Sequence, residues 1–224
     1  MSVIILIISS YDKPEYIGYK ERWLSTIHEN KNPQLRYYFL EANPSLPNPI
    51  EISENDYTIR VQEEESIIPG ILKKTMKAIQ YLLSESNIAF DYIYRTNLST
   101  SIIETNFINF IDKMKRENID YAGNREFAWK CFPFVSGSGM VLSRDACQYL
   151  CEESTQIVLW ETQLFATDYS TLHYTMGIEL GYQWHDDVCI GFILTQKYSI
   201  YDIPYLYPEN MENGKEHFQI RWKR

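Results

Sequence analysis

No Cys-x-x-Cys pair occurs in this chain, which disfavours a zinc site built on such pairs. The four cysteines are Cys131, Cys147, Cys151 and Cys189. They fit free, reduced thiols and hence a cytosolic type of compartment. Neither a G-x-G-x-x-G nor a Walker pattern follows the first apolar run, so a dinucleotide-binding or P-loop fold is disfavoured. That run, Val3 to Ile8, is too short to span a membrane and carries no basic leader or cleavage site. Positive charge is in the minority, with 21 Lys and Arg against 30 Asp and Glu and a net charge of −9. A nucleic-acid binder would want a basic face. A small anionic ligand stays open, because a few local cations suffice. No internal repeat or low-complexity segment is present.

What is present suits one large domain or two small ones: 224 residues, 45% of them hydrophobic. Aromatics reach 15%, with 18 Tyr and 5 Trp. Their flat apolar faces with polar edges suit sugar or base stacking, and equally serve as core fillers. The basic stretch Arg221, Trp222, Lys223 and Arg224 reads as a solvated tail, or as a segment folded over an anion.

Val3–Ser9 is the pattern of a parallel strand buried on both faces. Ser9, Ser10 and Tyr11 end it, and Asp12 with Pro14 and Glu15 signals a helix running to about Ile27. Leu35–Leu40 and Tyr57–Val61 are the next strands, separated by a Pro/Asn loop over Asn43–Pro49. Ser66 and Pro69 open a helix whose apolar stripe is Leu72, Met76, Ile79 and Leu83. Lys73, Lys74 and Lys77 lie beside that stripe, where they are solvated, though Lys74 could reach a phosphate.

Phe90–Ile103 organises the chain. A strand over Phe90–Tyr94 runs into Arg95, Thr96, Asn97, Ser99, Thr100 and Ser101. Ligands bind at the C-terminal ends of strands in open α/β sheets, so this rim is a candidate cradle for a phosphorylated ligand. The alternative is an ordinary Asx/Ser turn. Ser101 with Glu104 predicts a capping box for a helix with Ile103, Phe107, Phe110 and Met114 inward. Strand and helix alternate to this point, which predicts a mostly parallel sheet flanked by helices.

The second half changes character. Tyr121–Phe134 is aromatic and irregular. In Phe132–Ser143, Gly137, Ser138 and Gly139 interrupt an apolar stretch, which marks a bulge or a close approach of backbone to ligand. Ser143 is the expected N-cap of a helix through Tyr149, and Thr167/Asp168 of another with Leu172 and Met176 inward and Gly181 past its end. Asp186 and Asp187 then precede an apolar stretch. They read as a helix start favoured by the dipole, or as a carboxylate available for base chemistry.

Four segments, in order, resemble the GT-A-fold glycosyltransferases, most closely the β-1,3-galactosyltransferase/fringe-like group and its small viral and bacterial relations. Leu72-Lys-Lys-Thr75 in a helix through Tyr81 is similar to that family's Leu-Lys-Thr helix. Tyr92–Ser99 occupies the place of its strand ending in Lys-Thr-Asp-Asp-Asp. Phe132–Ser143 resembles its Tyr-Pro-x-Tyr-x-Ser-Gly-Gly-Gly-Tyr-x-Leu-Ser, and Asp186-Asp-Val-Cys-Ile-Gly191 its Glu-Asp-Val-x-x-Gly.

The resemblance implies a single α/β, Rossmann-like domain with a smaller acceptor-side part, divided into a nucleotide-sugar half over about residues 1–102 and an acceptor and catalytic half over about 103–224. It implies inverting hexosyl or pentosyl transfer from a nucleotide-diphosphate sugar, UDP-linked, to a glycan hydroxyl. Asp187 falls on the family's catalytic base. Donor contacts are expected from Ser9, Ser10, Tyr11, Lys74, Arg95, Thr96, Asn97 and Ser99. Acceptor or sugar contacts are expected from Trp129, Phe134, Ser136, Gly137, Ser138, Gly139, Trp184 and Asp186, the three aromatics being core candidates as well. The family's acidic cluster holds a divalent metal, but here Asn97, Leu98 and Ser99 stand in its place. Neutral oxygens make a weak site for a hard cation. Either manganese or magnesium is held mainly by ligand phosphates and water, or none is needed. Arg95, Lys74, Lys215, His217, Arg221 and Lys223 are then the candidate cations, with His217 also a candidate metal ligand. The expected partners are a nucleotide sugar and a glycan, with no nucleic acid and no membrane span. The expected location is the cytoplasm, of a host cell if the chain is viral. The alternative is a non-catalytic nucleotide-sugar or glycan-binding module on the same fold.

Overall fold

Val3–Ile8 (β1) carries an apolar side chain at every position, so both of its faces must be covered. The computed structural model, which describes residues 1–10, 15–30, 32–67, 69–128, 132–153, 185–204 and 217–222, covers them with two layers of helices. Ile4, Leu6 and Ile8 join Tyr38 and Leu40 in one core, and Val3, Ile5 and Ile7 join Phe39, Tyr94 and Phe107 in another. Alternation along the strand therefore feeds two cores with a period of two.

The other strands are β2 (Leu35–Ala42), β3 (Ile50–Ser53), β4 (Thr58–Val61), β5 (Tyr92–Asn97), β6 (Thr100–Ile102), β7 (Tyr121–Ala128), β8 (Phe132–Ser143), β9 (Tyr201–Asp202) and β10 (Gln219–Arg221). The described helices are α1 (Glu15–Glu29), α2 (Gly70–Ser84), α3 (Glu104–Glu117), α4 (Arg144–Glu152) and α5 (Asp186–Leu194). Eight strands form one mixed, mostly parallel sheet in the order β3-β4-β2-β1-β5-β8-β7-β9. The core on the Ile4 side takes residues from α2, α4 and α5, and the core on the Val3 side takes residues from α1 and α3. No described helix is long and apolar enough to cross a membrane.

From β1 the chain first builds outward through β2 and β4, then returns to place β5 on the other side. The order of strands thus reverses between β1 and β5. Their C-terminal residues Ile8 and Asn97 lie side by side, with Leu40 of β2 opposite Ile8. β8 runs antiparallel to β5, so Gly139 in the middle of β8 lies opposite Thr96 near the end of β5.

Several expectations need correction. Arg95, Thr96 and Asn97 belong to β5 itself, because β1 and β8 continue beside them and satisfy their backbone. The predicted capping box does not form: the N-cap of α3 is Ile103, with no side-chain cap bond, and the Ser101 hydroxyl instead accepts from the Trp222 indole at 2.9 Å. The described part of Tyr121–Phe134 is not irregular. It contains β7 and the start of β8, and Gly123, at φ 146, sits beside the register shift between them. β3, a short antiparallel edge strand with three half-buried residues and the exposed Glu51, was not expected at all. On α2 the buried face is Leu72, Thr75, Ala78, Ile79 and Leu82, and it includes Lys74, which is fully buried rather than solvated. Ser143 does cap α4, accepting from the Ala146 N–H. Cys147 and Cys189 are buried free thiols and Cys151 a half-buried one, while Cys131 lies outside the described residues. The helix expected after Thr167/Asp168 also lies outside them.

The basic stretch is not a free tail up to Trp222. β10 pairs antiparallel with β6, Arg221 opposite Thr100. Phe218, fully buried, stacks on Phe110 at 4.9 Å and packs against Phe107 and Tyr94. Lys223 and Arg224 lie outside the described residues. Phe218→Ala is expected to cost about 3–5 kcal/mol through lost burial and the cavity left behind. Urea unfolding checks this, and an unchanged midpoint would mean that the segment does not pack there.

Candidate functional site

At the reversal between β1 and β5 a cleft of about 560 Å³ opens at the C-terminal edge of the sheet. Open α/β sheets bind ligands at this position, because the connections diverge there and leave a crevice. Ser9 and Ser10, following β1, form one wall. Arg95, Asn97 and Ser99 come from the end of β5, Ser136, Gly137 and Ser138 from β8, and Asp186 and Asp187 from the first turn of α5. Ten of the candidate residues thus meet on one surface, although they arise from four separate parts of the chain.

Each wall has a defined support. The Ser9 carbonyl accepts from Lys74 Nζ at 2.9 Å, and its hydroxyl donates to the buried Glu41 at 3.1 Å. Lys20 pairs with the same Glu41 oxygen at 2.8 Å, and Lys74 grips both oxygens of Glu65 at 2.8 Å. Burial lowers the Lys74 ammonium, against the attraction of Glu65. Across the cleft the Ser138 carbonyl accepts from Thr96 at 2.7 Å and Thr100 at 2.9 Å. These two hydroxyls tie β5 and the turn after it to the middle of β8.

The charged centre is tighter. Arg95 Nη2 donates to Asp186 Oδ2 in an ion pair whose members are both buried. The half-buried Asp187 carboxylate accepts from the Gly137 N–H at 2.9 Å and from the Val188 N–H at 2.9 Å. A side chain at Gly137 would overlap Arg95 Nη1, so a glycine lets β8 pass against the guanidinium. Burial raises the Asp186 carboxyl, and the Arg95 charge opposes that rise.

Other candidates are placed elsewhere. Lys74 and Thr96 stand behind the cleft wall and do not line it. Phe134 is buried against Gly191 of α5, a core position that offers no face to a ligand. Gly139 is not on the cleft wall. It makes room for the Gln219 side chain. His217 is also off the wall, its Nδ1–H donating to the Pro204 carbonyl at 3.0 Å. Tyr11, Trp129, Trp184 and Lys215 lie outside the described residues.

Sequence reasoning missed Tyr16, Glu65, Ser66, Ile67, Ile71 and His185, all on the cleft wall. The acidic run 63–65 before α2 was the available signal for Glu65. Arg221 does reach the cleft, carried there by the pairing of β10 with β6.

Asn97, Leu98 and Ser99 offer a hard cation a poor site. Asn97 Oδ1 accepts from the Ser99 hydroxyl at 2.9 Å and from Thr100 at 3.3 Å, and Leu98 is a buried apolar side chain. Among the described residues no group of three or more His, Cys, Asp or Glu is placed to hold a metal ion.

Among solved structures, the galactosyltransferase LgtC in complex with donor and acceptor sugar analogues superposes with a TM-score of 0.54. The match covers 99% of this chain and 87% of that one, at 8% identity. The fold is that of the GT-A glycosyltransferases. A glycosyltransferase involved in the glycosylation of the major capsid of PBCV-1 matches with a TM-score of 0.46 at 14% identity, over 99% of this chain and 92% of that one. No protein-family model and no curated protein matches the chain.

Gly137→Ala is expected to displace Arg95 and cost about 1–3 kcal/mol in denaturant unfolding, as overpacking does. Gly18→Ala on α1, where an added methyl meets nothing within 4 Å, should be neutral or stabilise by up to about 1 kcal/mol. Equal effects at the two glycines would show that Arg95 is not seated against β8.

Proposed function

We propose that the chain is an inverting glycosyltransferase, moving a hexosyl or pentosyl group from a UDP-linked sugar to a glycan hydroxyl. The observation that supports it is the Asp187 carboxylate, half-buried on the wall of a 560 Å³ cleft at the strand-order reversal. That volume lies in the range of small-molecule sites. The motif resemblance to the β-1,3-galactosyltransferase/fringe-like group, which puts its base at Asp187, points the same way. So does the complex of a fold neighbour with donor and acceptor sugar analogues.

A sugar hydroxyl is a poor nucleophile until its proton leaves. Asp187 accepts that proton as the new glycosidic bond forms. The N–H bonds from Gly137 and Val188 hold its carboxylate in place and leave lone pairs for the acceptor hydroxyl. Attack from the face opposite the nucleotide inverts the anomeric carbon, and the bond to the diphosphate breaks. Charge then gathers on the leaving oxygens, where Arg95 and Arg221 are the cations on the cleft wall. No step uses a metal, since Asn97, Leu98 and Ser99 do not fit one.

A second reading, a non-catalytic nucleotide-sugar or glycan binder, draws on the same three residues. Their lack of carboxylates removes the part of the family's site that handles the leaving group.

Turnover of UDP-sugars with glycan acceptors, read as UDP release, separates the two. Asp187→Asn should lower kcat by about 10²–10⁴-fold while the donor Kd shifts less than about twofold. EDTA should leave the rate unchanged. Nucleotide binding by the wild-type chain with no transfer to any acceptor would favour the binding module.

A further inference from the structure

Arg95 is 3% exposed and Asp186 8% exposed, yet both line the cleft. A buried guanidinium with no counter-charge is costly. In this chain Asp186 supplies the counter-charge from the first turn of α5. The pairing is incomplete. Nη1 lies against Gly137, and the buried Nε has no hydrogen-bond partner among the described residues. Arg95, a residue of the cleft wall, therefore keeps one buried donor unspent. Asp186, committed to Arg95, is poorly disposed to hold an acceptor sugar.

We propose that Asp186 is an internal counter-anion that sets the affinity of the cleft for a diphosphate: the ligand's oxygens take over Arg95, and the released Asp186 carboxylate takes up a proton from solvent. Asp186 acts through Arg95 and is a positioning residue. The proposal deepens the donor-site assignment above and rests on it.

The groups facing Asp186 decide the sign. Burial and the neighbouring Asp187 charge raise its carboxyl, while Arg95 and, more weakly, His185 lower it. The Lys74–Glu65 pair also feels the Arg95 charge, and Glu65 lines the same cleft. Once phosphate neutralises Arg95, the largest lowering influence is gone and the carboxyl rises further. A ligand that raises a group's pKa binds with proton uptake, and its affinity falls as pH rises through the raised value.

Isothermal titration of the full chain with inorganic pyrophosphate and with UDP tests this, at pH 7.5 in buffers of different ionisation enthalpy. Asp186→Asn serves as the reference for the ligands' own protons. Wild type should take up more protons per anion than Asp186→Asn does. Asp186→Asn should bind both anions about tenfold more tightly, having no carboxylate to displace. The apolar pair Arg95→Met/Asp186→Leu, which keeps the wall packed, should lose both the binding and the proton uptake. Weaker binding by Asp186→Asn, or equal proton counts in both proteins, would overturn the proposal. UDP binding without proton linkage would do so and leave the donor site standing. Linked binding of pyrophosphate, with UDP no tighter, would support Asp186 and count against the nucleotide-sugar reading. Failure of both anions to bind would overturn both.

Discussion

The structure depends on one constraint at β5. This strand has a parallel neighbour, β1, on one side and an antiparallel neighbour, β8, on the other. Parallel neighbours end together, so Ile8 and Asn97 finish at the same edge and their following residues form a rim. An antiparallel neighbour instead runs past that edge. The end of β5 therefore meets the middle of β8, where Gly137 and Gly139 admit Arg95 on one side and Gln219 on the other. The cleft is the space left between strands that stop and a strand that does not.

Its charges are arranged in pairs. Lys74, behind one wall, meets Glu65 on it, Lys20 meets Glu41, and Arg95 meets Asp186. Buried pairs of this kind add little net stability but are costly to break singly. What they supply here is geometry. Lys74 fixes the Ser9 carbonyl, Glu41 fixes the Ser9 hydroxyl, and Asp186 fixes the guanidinium. Asp187 differs: among the described residues its oxygens accept only backbone N–H groups, so it is oriented without pairing with a cation.

Much of this was legible in the sequence, for reasons that differ from residue to residue. β1 could be read because a run apolar at every position has only one economical use, between two layers. The gathering of Ser9, Arg95, Gly137 and Asp187 could be anticipated because each follows or interrupts an apolar run, where a side chain must reach an edge. Lys74 could not be read correctly. Helical periodicity marks it as flanking, and only the tertiary partners Glu65 and Ser9 make its burial tolerable. The end of β5 was read as a rim or a turn beyond the strand because Arg and Asn are poor strand formers in isolation, and the ladder partners lie far on in β8, at Met140 and Gly139, or far back in β1. β10 was misread as a tail because a three-residue strand carries no periodic signal of its own.

The contacts of β10 also bear on how the protein is made. Trp222 meets Ser101 across 121 positions of chain, and Gln219 meets Tyr94 across 125. Contacts at such separations close late and slowly, since the loop entropy is lost before the contact rewards it. During synthesis β1, β2 and β5 can assemble while Phe218 and Arg221 are still inside the ribosome. The nascent sheet then waits with the Phe107–Phe110 surface uncovered and one side of the cleft missing. The site is completed last, and until then the uncovered aromatic surface is where a chaperone would bind or aggregation would begin.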